Sequence, residues 1–164
     1  MQQWQRNRAP MSQSPEQLYA RWTAGDAVAV GRDLFAPLTP AQRVERGAAV
    51  LGICLAHMPA PPAVAHILTL ATERERWSEA HEAFSTVRYL TLAEERHPTS
   101  AAYSALLFVA ENVAKTVYNA SGAPAPFDED SPWWIASCAR TLVERLGDAH
   151  FEHVIWTALV GARL

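Results

Sequence analysis

Thr39-Pro40-Ala41-Gln42-Arg43-Val44-Glu45-Arg46-Gly47-Ala48-Ala49-Val50-Leu51-Gly52-Ile53-Cys54-Leu55 decides the reading of this chain. A threonine directly before a proline is a helix start. The hydroxyl caps an orphan backbone N–H, and proline's fixed φ suits the first helical position. Val44, Ala48, Leu51 and Leu55 then recur at helical spacing. Val50 and Ile53 cover the opposite side, so the second half of this helix is apolar all round. Such a helix is surrounded by other helices. Met58-Pro59-Ala60-Pro61-Pro62 ends the segment just after His57.

The same punctuation recurs at Ser14-Pro15 and Ser131-Pro132. Working outward, a first helix follows Ser14, carries Leu18, Tyr19 and Trp22 inward, and stops near Gly25. Asp26 is expected to cap a second, ending at Phe35 before Pro37. A fourth helix carries Val64, Ile67, Leu68 and Ala71 into the charged run Glu73-Arg74-Glu75-Arg76. Ser78 is expected to cap a fifth, with Ala80, Ala83, Phe84, Val87 and Leu90 inward, stopping at His97-Pro98. Thr99 or Ser100 caps a sixth. Its apolar face holds Tyr103, Leu106, Leu107, Ala110, Val113, Val117 and Tyr118, with a Glu111–Lys115 pair on the solvent side. Ser131 is expected to cap a seventh, with Ile135, Cys138, Ala139, Leu142 and Leu146 inward and Gly147 as its stop. Asp148 caps the eighth, whose main face is Phe151, Val154, Ile155, Ala158 and Leu159. The expected fold is therefore all-α: one domain over 14–164, a bundle of seven or eight short helices with the third and sixth central, compatible with stacked hairpins. Residues 1–13 read as a polar N-terminal arm.

Composition narrows the function classes. The chain has 164 residues, 49% of them hydrophobic, and a net charge of −3. That is long enough for a sizeable core and lacks the clustered Lys and Arg of a nucleic-acid binder. Lys115 is the single lysine, and there are thirty alanines, a bias that suggests a GC-rich bacterial genome. The longest apolar run, Gly47 to Ala56, falls well short of the roughly 20 residues of a membrane span. Met1 to Gln13 has no apolar h-region. The expected compartment is the cytoplasm, with neither a nucleic-acid nor a membrane partner. Cys54 and Cys138 lie in apolar runs and read as buried free thiols.

Chemistry has few footholds. There is no Gly-x-Ser-x-Gly, no phosphate-cradling glycine loop and no Cys-x-x-Cys. No cofactor and no metal is expected. Cys54-x-x-His57 and His150-x-x-His153 each place two ligand-type side chains one turn apart, so Cys54, His57, His150 and His153 are the residues a zinc site would use. Glu94-x-x-His97 supplies half of a di-iron carboxylate pattern, without its second copy. His66 and His81 read as solvated.

The segment Asn119 to Asp130 is the one long irregular stretch, and loops of that length are usually functional or disordered. Pro124, Pro126 and Phe127 restrict it, and Asp128, Glu129 and Asp130 crowd before the seventh helix. Those acids complement the positive end of that helix. They also form an acidic, aromatic-lined surface for a basic or peptidic partner. Trp133 falls with Ser137, Arg140 and Glu144 on the polar side of its helix, so it either packs under the loop or is exposed as an interface anchor. Phe108 poses the same question beside Ser104, Glu111, Asn112 and Lys115. Asn119-Ala120-Ser121 matches a glycosylation pattern of little weight.

The expected function is a non-catalytic protein-binding or regulatory module, of adaptor or toxin-neutralising type. It would act through Tyr118, Asn119, Phe127, Asp128, Glu129, Asp130, Trp133 and Trp134. Two alternatives are a metal-dependent helical-bundle enzyme and a small-molecule binder with a pocket near Tyr103, Tyr118 and Trp134. Trp156 and Val160 lie off the main stripe of the last helix. They are accounted for either by wedging between helices or by a homodimer interface.

Overall fold

A computed structural model of the chain describes residues 13–162. Apart from Gln13, the expected N-terminal arm lies outside the described residues. Eight α-helices follow one another among the described residues, with no strand: α1 (Pro15–Thr23), α2 (Ala27–Phe35), α3 (Pro40–His57), α4 (Pro62–Thr72), α5 (Ala80–Arg96), α6 (Ala101–Ala120), α7 (Ser131–Leu146) and α8 (Ala149–Val160). A 3-10 segment, Arg74–Glu79, links α4 to α5.

Where a cap is purely local, it forms as the sequence dictates. Ser14 Oγ accepts from the Gln17 N–H at 3.2 Å, and Gln17 Oε1 accepts from the Ser14 N–H at 2.9 Å. Thr39 and Gln42 repeat this reciprocal box at α3. Ser100 caps α6 through the Tyr103 N–H. Asp148 caps α8 by accepting from the His150 and Phe151 N–H groups. Gly147 ends α7 in the left-handed conformation, at φ 63°.

Three expected caps do not form: the Asp26 and Ser131 side chains are held by other partners, and Ser78 falls inside a 3-10 segment. Asp26 makes no cap bond, because Arg21 donates to it at 2.8 Å and also to Asp33. Ser78 lies inside the 3-10 segment, and α5 starts at Ala80. There Arg76 bonds Glu73 and Glu79, while Trp77 is buried and donates its indole N–H to the Ala71 carbonyl at 3.2 Å. Ser131 sits at the first position of α7 instead of before it. Its hydroxyl donates to the Asp128 carbonyl at 2.7 Å and caps nothing.

The architecture is organised around α6. It packs against α3, α4, α5 and α7. Side chains are buried all round its middle and later turns, including Leu107, Val109, Ala110, Val113, Ala114 and Val117. The expected solvent-facing side of α6 is therefore not one. Glu111 does not form an exposed pair with Lys115; it is buried, at 4% exposure. Asn112 and Thr116 are buried too, and each bonds a carbonyl one turn back.

α1, α2 and α8 close the bundle around α3 and α7. Gly31 of α2 lies against the backbone of Trp133 in α7. Trp22 of α1 is fully buried and donates its indole N–H to the Ala136 carbonyl at 2.9 Å. Trp156 of α8 meets the Trp22 ring at 5.1 Å and the Tyr19 ring at 5.5 Å. Trp156, on the second apolar side of α8, thus packs against α1 within one chain. Tyr19, expected inside, is partly exposed, and its hydroxyl donates to Glu152.

Glu94 has a structural role at the α5–α6 turn. Its Oε1 accepts from the Thr99 N–H at 2.6 Å and the Ser100 N–H at 3.0 Å, and the Thr99 hydroxyl donates to the same carboxylate. The Ser100 and then the Thr99 backbone N–H hold this carboxyl below the usual glutamate range. A depressed carboxyl contributes stability above its unfolded pKa. That contribution is lost as pH falls through the folded one. Glu94→Ala is expected to melt below the wild type at about pH 7 and to approach it at about pH 3, checked by thermal melts across that range.

Candidate functional site

The segment between α6 and α7 is irregular, as expected, and it is fastened at both ends. Asn119 carries most of the fastening. Its Oδ1 accepts from the Phe127 N–H at 2.8 Å, and its Nδ2 donates to the Phe127 carbonyl at 3.0 Å. Tyr118 donates its hydroxyl to the Pro124 carbonyl at 2.8 Å. Between these pins Ala125 adopts the left-handed conformation, at φ 57°. A non-glycine residue stays there only when its surroundings over-determine it. Asn119 is fully committed inside the loop, so its glycosylation pattern has no free amide to offer.

Phe127 anchors the loop to the bundle. Its ring stacks on His81 at 5.2 Å and meets Phe84 at 4.8 Å and Tyr118 at 5.4 Å, both edge-on. Lys115 Nζ lies 5.1 Å from the Phe84 centroid and 5.8 Å from that of Phe127. The lysine expected to pair with Glu111 is instead held over aromatic faces, while His81 is exposed as expected and lays one ring face on Phe127.

Of the two adjacent tryptophans, the structure exposes the other one. Trp133 is half-buried, with its backbone against Gly31 and its indole nitrogen enclosed without a hydrogen-bond partner. Its side of α7 is polar in sequence but covered by α1 and α2, where Arg140 lies 5.0 Å over the Trp22 ring. Trp134 is 43% exposed and donates to Asp130 Oδ2 at 3.3 Å. Phe108 is half-buried where the cleft begins.

The loop separates two cavities. The smaller, about 290 Å³, lies between α3 and the loop and is lined by Arg43, Asn119, Phe127 and Glu129. The larger is an open cleft of about 670 Å³ between α5, α6 and α7. α5 contributes Phe84 and Arg88 to it, and α6 contributes Phe108, Glu111, Asn112 and Lys115. The loop end brings Asp128 and Asp130, and α7 brings Trp134 and Cys138. At the floor, Arg88 Nη1 stands 3.5 Å from Glu111 Oε1. That is an ion-pair distance, too long for a well-formed hydrogen bond, and Glu111 Oε1 has no hydrogen-bond partner. Burial pushes the Glu111 carboxyl above the usual range, against the opposing pull of Arg88 and Lys115. Burial likewise pushes the Cys138 thiol up to about 12, so it is a neutral wall.

No family model matches this chain, and neither a curated protein nor a solved structure matches it. Its chemistry is therefore read from the geometry alone.

Of the residues of the metal reading, only His57 and His150 come near each other across helices. Cys54 is buried in the core, with its thiol also pushed up to about 12 by burial. His57 Nδ1 lies 2.8 Å from the Ile53 carbonyl, and its ring is 6.3 Å from His150 and 5.0 Å from Phe151. His153 lines a groove with Tyr19 and Trp156 on the α1–α8 side. No group of three or more His, Cys, Asp or Glu side chains suited to a metal occurs among the described residues. The expected pocket near Tyr103, Tyr118 and Trp134 is displaced: the cleft includes Trp134, while Tyr118 is pinned to the loop. Glu111, Arg88 and Asn112 were not singled out as site residues by sequence reasoning. The signal for Glu111 and Asn112 was a Glu-Asn pair in the middle of a twenty-residue apolar helix; Arg88 lies on α5 and had none.

Proposed function

We propose that this chain is a protein-binding module of adaptor or regulatory type whose partner presents a basic segment to the face formed by the loop, the start of α7 and the cleft. One observation carries this reading. A fastened loop delivers Asp128 and Asp130 beside a half-exposed Trp134 at the mouth of an open cleft. Rigidity lowers the ordering cost of binding. An exposed tryptophan next to carboxylates supplies the anchor and the charge complementarity that a basic partner uses. Among the described residues no helix is long and apolar enough to cross a membrane.

Titration calorimetry with a basic decapeptide and its acidic counterpart tests the reading. The basic peptide is expected to bind, with affinity falling as salt is added. Asp128→Asn/Asp130→Asn is expected to weaken it by at least about tenfold, which is roughly 1.4 kcal/mol. Equal binding of both peptides, or no change in the double variant, overturns the proposal.

A further inference from the structure

We infer that Glu111, at the floor of the α5–α6–α7 cleft, is the seat for a guanidinium or ammonium head group that enters the cleft from outside. The inference rests on the basic-partner reading above and names what that partner inserts.

The argument starts from an unmet need. The Glu111 side chain is 5% exposed, and its Oε1 has no hydrogen-bond partner. A carboxylate oxygen only accepts, so what is missing is a donor. Every donor nearby is committed or poorly placed. Asn112 Nδ2 donates to the Phe108 carbonyl at 2.9 Å and reaches Cys138 Sγ at 3.7 Å. The Lys115 ammonium sits over the Phe84 and Phe127 rings. Arg88 stops at 3.5 Å and is itself 42% exposed, so it can swing aside. Glu111 lines a cleft of about 670 Å³, room for a side chain and the backbone that carries it, and its enclosed Oε1 is reached once Arg88 moves aside.

Charge selects the sign of the occupant. Glu111, Asp128 and Asp130 outnumber Arg88 and Lys115 in the lining. An anion would find the Lys115 ammonium held over aromatic rings and Arg88 alone to meet it, with three carboxylates around it. A cation would meet an unmet acceptor at the floor and carboxylates at the rim. The chain shows the same preference itself, since its own lysine ammonium rests on the aromatic faces of this wall.

The elevated Glu111 carboxyl adds a pH signature. A bound cation favours the ionised form, so affinity is expected to rise as pH climbs through the Glu111 range. The charged groups facing Glu111 are Arg88 and Glu95 from α5, Lys115 from α6, and Asp128 and Asp130 from the loop. The two aspartates are controlled by repeating the profile in Asp128→Asn/Asp130→Asn.

The test uses the full chain with two probes, N-acetyl-arginine amide and the basic decapeptide, against the wild type, Glu111→Gln and Asp128→Asn/Asp130→Asn. Glu111→Gln keeps the side-chain shape and removes a charge that burial disfavours, so its melting temperature at neutral pH is expected not to fall. It is expected to lose at least tenfold in affinity for both probes and to abolish the rise with pH. If Glu111→Gln misfolds, nuclear magnetic resonance shifts of the Glu111 and Trp134 signals in the wild type on adding N-acetyl-arginine amide decide the matter. Tight binding of the amide on its own, lost in Glu111→Gln, supports a free organic cation as the source. Weak amide binding with tight peptide binding, both lost in Glu111→Gln, supports a partner's side chain. Peptide binding that survives Glu111→Gln unchanged but is lost with the aspartates overturns the seat and leaves the loop reading standing. Binding lost in Glu111→Gln but indifferent to the aspartates keeps the seat and overturns the loop reading.

Discussion

Gly31→Ala is expected to destabilise the fold by about 3 kcal/mol, a fall in Tm of roughly 6–12 °C for a chain of this size. A Cβ placed on Gly31 would stand 2.2 Å from the Trp133 carbonyl oxygen and 2.9 Å from the Trp133 Cα. These are backbone atoms in the first turn of α7, so no rotamer change relieves the clash. α2 or the start of α7 must move. The helix propensity of alanine returns about 1 kcal/mol at most, which the overpacking exceeds. Gly52→Ala is the matched control. Its added Cβ meets Leu68 Cδ2 at 3.9 Å, an ordinary contact, so its Tm is expected to hold or rise slightly. Melts followed by circular dichroism compare the two. Equal melting temperatures would show that α2 does not lie against Trp133 as closely as described. The same displacement would carry Trp134 and the cleft rim with it, so peptide binding by Gly31→Ala is expected to weaken as well.

This contact also marks where sequence reading stops. Ser14, Thr39, Ser100 and Asp148 were legible as caps because a cap involves residues a few positions apart and no others. Asp26, Ser78 and Ser131 carry the same chemistry. Each lost its role to a neighbour whose claim depended on local geometry: Arg21, the 3-10 segment and the Asp128 carbonyl. The apolar spacing of α3 and α6 identified the centre. It did not show that α5 and α7 would bury Glu111 and Asn112 on the other side of α6, since a polar residue within an apolar helix reads as solvent-facing until its neighbours are placed. The sequence left Trp133 either packed or exposed, and only the placed neighbours decide it: α2 lies against its backbone, and Trp134 is the exposed one. The loop was visible as a break in periodicity, and its acids and Phe127 were named correctly as its content. The cleft was not visible, because its walls come from helices distant in sequence.

Trp22→Ala is expected to cost about 3–5 kcal/mol, the range for deleting a large buried aromatic side chain. α1 is nine residues long, too short to persist without tertiary contacts. Trp22 is its one fully buried side chain, and the ring carries three interactions together. It donates to the Ala136 carbonyl at 2.9 Å, lies under the Arg140 guanidinium at 5.0 Å, and packs on Trp156 at 5.1 Å. Removing it opens a cavity where α1, α7 and α8 meet. It also uncovers Arg140, whose Nη1 is enclosed without a hydrogen bond and stands 3.5 Å from Glu152. Trp22→Phe separates packing from polarity. Phenylalanine retains most of the apolar contact and forfeits the indole N–H, so its expected loss is about 1–2 kcal/mol. If Phe and Ala variants fall equally, the hydrogen bond holds α1 in place and the packing account is wrong. Hydrogen exchange gives an independent readout: in Trp22→Ala, the α1 amides are expected to lose protection while those of α6 keep theirs, because α6 lies behind α3, α5 and α7 and does not depend on α1 for its cover.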